Sequence, residues 1–207
     1  MEVVRRAFDA NFETREDESG VITGRPVVLN SVTDLGWFDE VIDSGALRST
    51  DLSDVRLCLN HDTGFVYARS RRSAKSTMEI AVDAMGLTFS AGLDVEDSPK
   101  AQDFYAAIKR GDIDKMSFMF TIDGYEWENL ESDHPTRHIT SIGKIFEISA
   151  VTFPAYDSTS IEARDAEALE SAKRDLERAR AELRKTPDGD AVELAKAKYF
   201  YTRRKSK

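Results

Sequence analysis

Residues 113–123 read IDKMSFMFTID, and through the middle of this run every second side chain is large and apolar: Met116, Phe118, Phe120 and Ile122. A period of two is the pattern of a β-strand with one face in a core. Ser117 and Thr121 then point the other way. A serine in that position is ordinarily a small residue that lets something pack above it, because its hydroxyl is a poor nucleophile without a base.

The flanking segments extend the pattern. Upstream, SPKAQDFYAAIKRGDID (98–114) predicts a helix: Ser98 caps, Pro99 suits the first turn, Ala101, Phe104, Tyr105 and Ile108 form a stripe, and Gly111 ends it. Downstream, the polar loop ENLESDHPTRH (128–138) leads to ITSIGKIFEISAVTFPAY (139–156), one long strand or two short ones closed by Pro154. Nearer the start, VVRRAFDANFET and GVITGRPVVLN read as strands around the charged turn REDESG. LGWFDEVIDSGAL (35–47) has Trp37, Phe38, Val41 and Ile42 spaced as one face of a short helix that stops at Gly45. VRLCLNHD (55–62), GFVYAR and STMEIAVD read as further strands, and GLTFSAGLD (86–94) as the return arm of a hairpin.

From Ile161 the character changes. EARDAEALESAKRDLERARAELRK (162–185) balances acidic against basic residues and has no Gly, Pro or aromatic. Leu169, Leu176 and Leu183 recur every seven residues with Ala172 and Ala179 between them, a seam that calls for a partner helix. TPDGD breaks this helix, and AVELAKAKYFYTRRKSK predicts a second one with a basic end, folded back on the first. The expected architecture is α+β: a mainly antiparallel, β-barrel-like domain with flanking helices over residues 1–161, and a charged helical arm over 162–207.

Composition narrows the function classes. At 207 residues the chain suits one core plus an appendage, and 41% hydrophobic residues are enough to build that core. A formal charge of -9 argues against a nucleic-acid partner, since a phosphate-binding face shows as a basic excess. Cys58 is the single cysteine, which excludes an internal disulfide and fits a reducing interior. It lies in the apolar RLCLN run and reads as a small core residue. The absence of a signal-like apolar run or an 18-residue span predicts an intracellular protein without a membrane partner. No HExxH, CxxC, GxxxxGK[ST] or GxGxxG motif is present, so neither metal nor cofactor is expected.

Three residues remain as candidates for chemistry. His61 follows the LCLN strand at a polar tip, where a stiff element holds an imidazole near the surface; an unperturbed imidazole, with a pKa of about 6.5, accepts a proton at neutral pH. Glu147 is an acid inside the otherwise apolar KIFEISAV, where an ionised carboxylate is costly unless hydrogen-bonded or charge-paired. Either it holds a histidine ring, as the acid of a catalytic triad does, or it pairs with a neighbour such as Lys144. Asp62, Asp123 and His138 are rival third members. Ser117 completes the set.

Together ITGRPVVLNSVTDLGWFDEVIDSGAL, LCLNHD, GLTFSAGLD, DFYAAIKRGDIDKMSFMF and FEISAVTFPAYDSTSIEAR, in that order, resemble the phage prohead (procapsid) maturation serine proteases, whose fold is related to that of the herpesvirus assemblins. The resemblance covers about residues 1–164. It implies a serine endopeptidase with His61 of the NHD segment as general base, Ser117 as nucleophile and Glu147 of FEIS as orienting acid. It also implies a substrate, the scaffold segment of the major capsid protein precursor, cleaved inside the assembling procapsid in the host cytoplasm, often alongside self-cleavage. A homo-oligomer is expected by analogy with the assemblins. This chain departs from the family pattern at Met119, where a glycine is frequent. The runner-up is an assembly or scaffolding protein that keeps the fold and works through its helical arm.

Overall fold

A computed structural model describes residues 3–9, 12–14, 19–152, 163–184 and 199–202, with the backbone alone at 8, 9, 163–168 and 199–202. The larger sheet is organised around one long ribbon, β10 (Lys115–Glu128) and β11 (Thr136–Val151), paired antiparallel from Lys115↔Val151 to Glu128↔Thr136. The outer edge of β10 carries β1 (Val3–Asp9) at the Ser117 end and β12 (Tyr199–Thr202) at the Trp127 end. The outer edge of β11 carries, in parallel, β5 (Asp39–Ile42) at its start and β6 (Asp54–Leu59) at its finish. β4 (Val32–Asp34) extends the sheet from β5, and β7 (Ala68–Arg71) from β6. A second, antiparallel sheet runs β2 (Glu13–Thr14), β3 (Val21–Val28), β9 (Gly86–Gly92), β8 (Met78–Asp83).

The main core draws on both sheets. Met116, Phe118, Phe120, Ile145 and Ile148 from the ribbon meet Ile22, Val27, Leu87 and Phe89 from the smaller sheet. Ala101, Phe104 and Ile108 of α1 (Pro99–Arg110) join them. α1 starts where its sequence says: Ser98 Oγ accepts from the Ala101 N–H at 3.3 Å and Pro99 fills the first turn. It stops at Gly111, whose φ of 77° is left-handed backbone that a glycine adopts without a Cβ clash. That stop aims the chain straight into β10. The alternation of β10 holds, with Met116, Phe118 and Phe120 fully buried. Side chains on the opposite face are buried as well, Ser117 and Thr121 among them.

Three expectations are corrected by the fold. Among the described residues the strands form two sheets that share one core, not a closed barrel. Residues 35–47 form no helix: Leu35–Phe38 turn through Gly36, at φ 92°, into β5, and a turn follows. Val41 and Ile42 pair with His138 and Ile139, and β5 is buried on both faces, so a short run of apolar residues on both sides of a strand imitated helical spacing. At the C-terminus, Tyr199–Thr202 form a strand on β10 where a second helix was expected, in keeping with the β preference of Tyr, Phe and Thr. The remainder of that expected helix lies outside the described residues.

The Leu/Ala seam is formed, on α2 (Ala163–Leu183), and it is occupied by the chain itself. Ala172, Leu176 and Ala179 are buried with Leu35, Phe38, Tyr125, Trp127 and Leu130 at the far end of the ribbon. Small alanines let the helix approach closely, and polar groups fix it: the Tyr125 hydroxyl donates to Asp175 at 2.8 Å, and Arg180 donates to the carbonyls of Leu130 and Ser132 at 2.7 and 2.6 Å. Among the described residues, no helix is long and apolar enough to cross a membrane.

Candidate active site

Strand pairing assembles one row of side chains. Ser117 of β10 lies opposite Ser149 of β11, which lies beside Cys58 of β6; one step along, Met119 lies opposite Glu147, beside Arg56. Cross-strand partners share a face, so Ser117, Met119, Glu147, Ser149 and Cys58 all project from the side of the sheet opposite Phe118 and Ile148. Glu147 is 1% exposed and Ser117 likewise 1%.

His61 reaches this row from the turn that ends β6. Asn60 and His61 are both left-handed, at φ 51° and 60°, and the Asp62 N–H donates back to the Leu59 carbonyl at 2.9 Å. Asparagine and histidine enter this region more readily than most side chains, but two in succession still cost energy, and the neighbours hold the turn. They are all on β11 or just beyond it. The Asn60 N–H donates to Ala150 O at 2.9 Å. The Asn60 carboxamide oxygen accepts from the Thr152 N–H at 2.9 Å and its hydroxyl at 3.2 Å. The His61 N–H donates to Ser149 Oγ at 3.2 Å.

The result is a 2.6 Å contact between His61 Nδ1 and Glu147 Oε1. A carboxylate only accepts, so Nδ1 carries the proton and a neutral ring presents its lone pair at Nε2. The other carboxylate oxygen, Oε2, accepts a short hydrogen bond from the Ser149 hydroxyl. The His61 side chain keeps 10% exposure while Glu147 is shut away, an arrangement in which an incoming group meets the ring before the acid. Ser117 Oγ is buried and, among the described residues, has no hydrogen-bond partner. The structure thus joins His61 to Glu147 and brings Ser117 into their row, without a bond from Ser117 to the ring; such bonds are often long in free enzymes and tighten with substrate.

The rival acids are engaged elsewhere. Lys144 pairs with Asp51 at 2.9 Å, not with Glu147. His138 sits between Asp43 at 2.8 Å and Glu128 at 3.0 Å. Asp62 accepts from the Gly64 N–H, and Asp123 covers Gly143, where any side chain would strike its carboxylate. Cys58 is a core residue, as its apolar context predicts. Burial, with Glu147 adding to it, pushes its thiol up to about 12. A thiol so disfavoured from ionising is no nucleophile.

Two contributors escaped the sequence reading, Ser149 and Asn60. Ser149 had a signal, since it stands two residues after Glu147 on the same face of one strand. Asn60 had none beyond adjacency to His61. Among the described residues, Asp34, Asp39 and His134 could offer three ligand atoms to a cation, but all three are at least partly exposed and the imidazole is already paired with Asp39 at 3.1 Å.

No curated protein and no solved structure shows a significant match to the chain. The sequence profile of the caudovirus prohead serine proteases does match, over residues 8–174, which takes in β2 to β11, the His61–Glu147 pair, Ser117 and the first part of α2. The chain belongs to the caudovirus prohead serine protease family.

Proposed function

We propose that this protein is a serine endopeptidase that removes the scaffold segment of the major capsid protein precursor during procapsid maturation, with self-cleavage as a second reaction of the same site. The observation that carries the reading is the 2.6 Å contact of His61 Nδ1 with the buried Glu147, one strand from Ser117. His61 Nε2 takes the Ser117 proton as Oγ attacks the peptide carbonyl. The resulting imidazolium is held by Glu147 and returns its proton to the leaving amine, and water, activated by the same ring, releases the acyl-enzyme. All of this is side-chain chemistry and calls for no metal or cofactor. Backbone N–H groups are the natural donors to the oxyanion. The enzyme works inside the assembling shell in the host cell, and a homo-oligomer fits its relation to the assemblins.

Co-expression with the capsid precursor tests this directly. Wild type should trim the precursor, and Ser117→Ala should leave it at full length while still assembling. Trimming that survives Ser117→Ala overturns the assignment. Full-length precursor with both proteins would move the chain to the assembly role.

A further inference from the structure

We propose that Ser149 is a positioning residue of this site: its hydroxyl braces the general base and its acid against each other. The inference rests on the protease reading for its kinetic consequence and on geometry alone for its structural one. Ser149 is completely buried, and one oxygen atom serves two partners. It donates its proton to Glu147 Oε2 and accepts the His61 main-chain N–H at 3.2 Å. The third side of the bracket is the His61 Nδ1 contact with Glu147 Oε1. The carboxylate is therefore fixed at both oxygens, and one of its two anchors is tied to the backbone of the residue it must orient.

The chemistry requires this bracing. An imidazole in solution exchanges its proton between Nδ1 and Nε2, and only the Nδ1–H tautomer leaves Nε2 free to accept from a serine. A carboxylate with one free oxygen can rotate about its last torsion and lose that hold. His61 also stands in left-handed backbone, which persists only where the surroundings over-determine it. Removing the Ser149 hydroxyl takes a partner from two groups at once, the buried Oε2 and the part-buried His61 N–H. A serine that merely filled space would be linked to neither.

The test compares Ser149→Ala and Ser149→Thr with wild type, in the full chain. The chain has only three histidines, so ring ¹⁵N shifts assign His61 by difference against His61→Gln. Wild type should show the Nδ1–H tautomer at His61, Ser149→Ala a mixture of tautomers, and Ser149→Thr, which keeps the hydroxyl, the wild-type pattern. In parallel, kcat for peptide cleavage should fall about tenfold to a hundredfold in Ser149→Ala with KM unchanged, the scale of one lost charge-assisted hydrogen bond. The threonine variant should recover most of it. A single Nδ1–H tautomer in a folded Ser149→Ala protein overturns the proposal, and so does a kcat loss that threonine fails to rescue although it folds. A wild-type chain that neither cleaves nor reacts at Ser117 with a fluorophosphonate faults the protease reading instead, while the tautomer comparison still decides the role of Ser149.

Discussion

The ribbon of β10 and β11 buries a glutamate beside each end, and the two are held in opposite ways. At one end Glu147 is met by a ring N–H and a hydroxyl, both from groups that can give up or exchange a proton. At the other, Glu40 of β5, 2% exposed, is met by the guanidinium groups of Arg6 and Arg137, which donate to both its oxygens. Arg137 also lies over a cluster of aromatic rings, 5.0 Å from Phe38 and 5.8 Å from Trp127. Burial alone would push the Glu40 carboxyl up, but the two charges and their hydrogen bonds outweigh it and hold the group at about 2. Arginine does not titrate in a protein, so this cluster can only be a fixture. The difference is one of partners: a buried carboxylate between permanent cations locks strands together, whereas one held by an imidazole and a hydroxyl has partners that exchange protons.

Neutralising each carboxylate should expose that contrast. Glu147→Gln keeps the shape, but its amide cannot hold the Nδ1–H tautomer as a carboxylate does, and cleavage should drop by roughly 10⁴. Its urea-unfolding midpoint should move far less than that of Glu40→Gln. Equal activity in Glu147→Gln and wild type would erase the distinction. Glu40→Gln leaves two buried guanidinium groups facing a neutral partner and should lose about 3–5 kcal/mol of stability, measured by the same unfolding.

Acid sharpens the point. The folded Glu40 pKa lies below its ordinary 4.5, so folding favours the charged form. Its stabilisation is complete above about pH 4.5 and disappears as pH falls toward 2. A plot of stability against pH should therefore flatten across that window in Glu40→Gln, and an unchanged slope would remove Glu40 as its cause. A smaller effect belongs to the helix that covers the Glu40 end. Leu176→Ala should cost about 2 kcal/mol, at the low end for a buried leucine because a surface helix can settle into the gap. It should also admit protease cutting within residues 163–184 before the sheets are cut. Helix and sheets cut at the same rate would mean that α2 does not come away on its own.

Local chemistry was legible where the residues themselves dictate it. Ser98, Pro99 and Gly111 mark α1 within a residue, and the parity of Met116, Phe118 and Phe120 sets the faces of β10. What escaped depended on distant partners. Glu40 inside LGWFDEVID looks like the polar face of a helix, and only Arg6 and Arg137 make it a buried strand residue. The seam of Leu169, Leu176 and Leu183 correctly announced an apolar stripe, but periodicity cannot distinguish a second helix from the Trp127 face of the chain's own sheet. Of the site, the His61–Glu147 pairing was readable as one of several options; the bond to Ser149 and the Asn60 clamp depend on β6 and β11 running side by side in parallel, which no local pattern encodes.

Cys58 gives that parallel pairing an experimental use. It is the sole thiol of the chain, it has no solvent exposure, and it stands directly beside Ser149 in the strand row that runs on through Ser117 to Ala7. A disulfide reagent can reach it only when β6 and β11 part, so its labelling rate is a clock for the opening of this strand row. In the native protein that rate should lie on the order of a thousandfold or more below that of the urea-unfolded chain. Free-thiol speed under native conditions would mean that the row stands open. The same count of one means that a single labelling rate reports on this one position of the sheet and on no other.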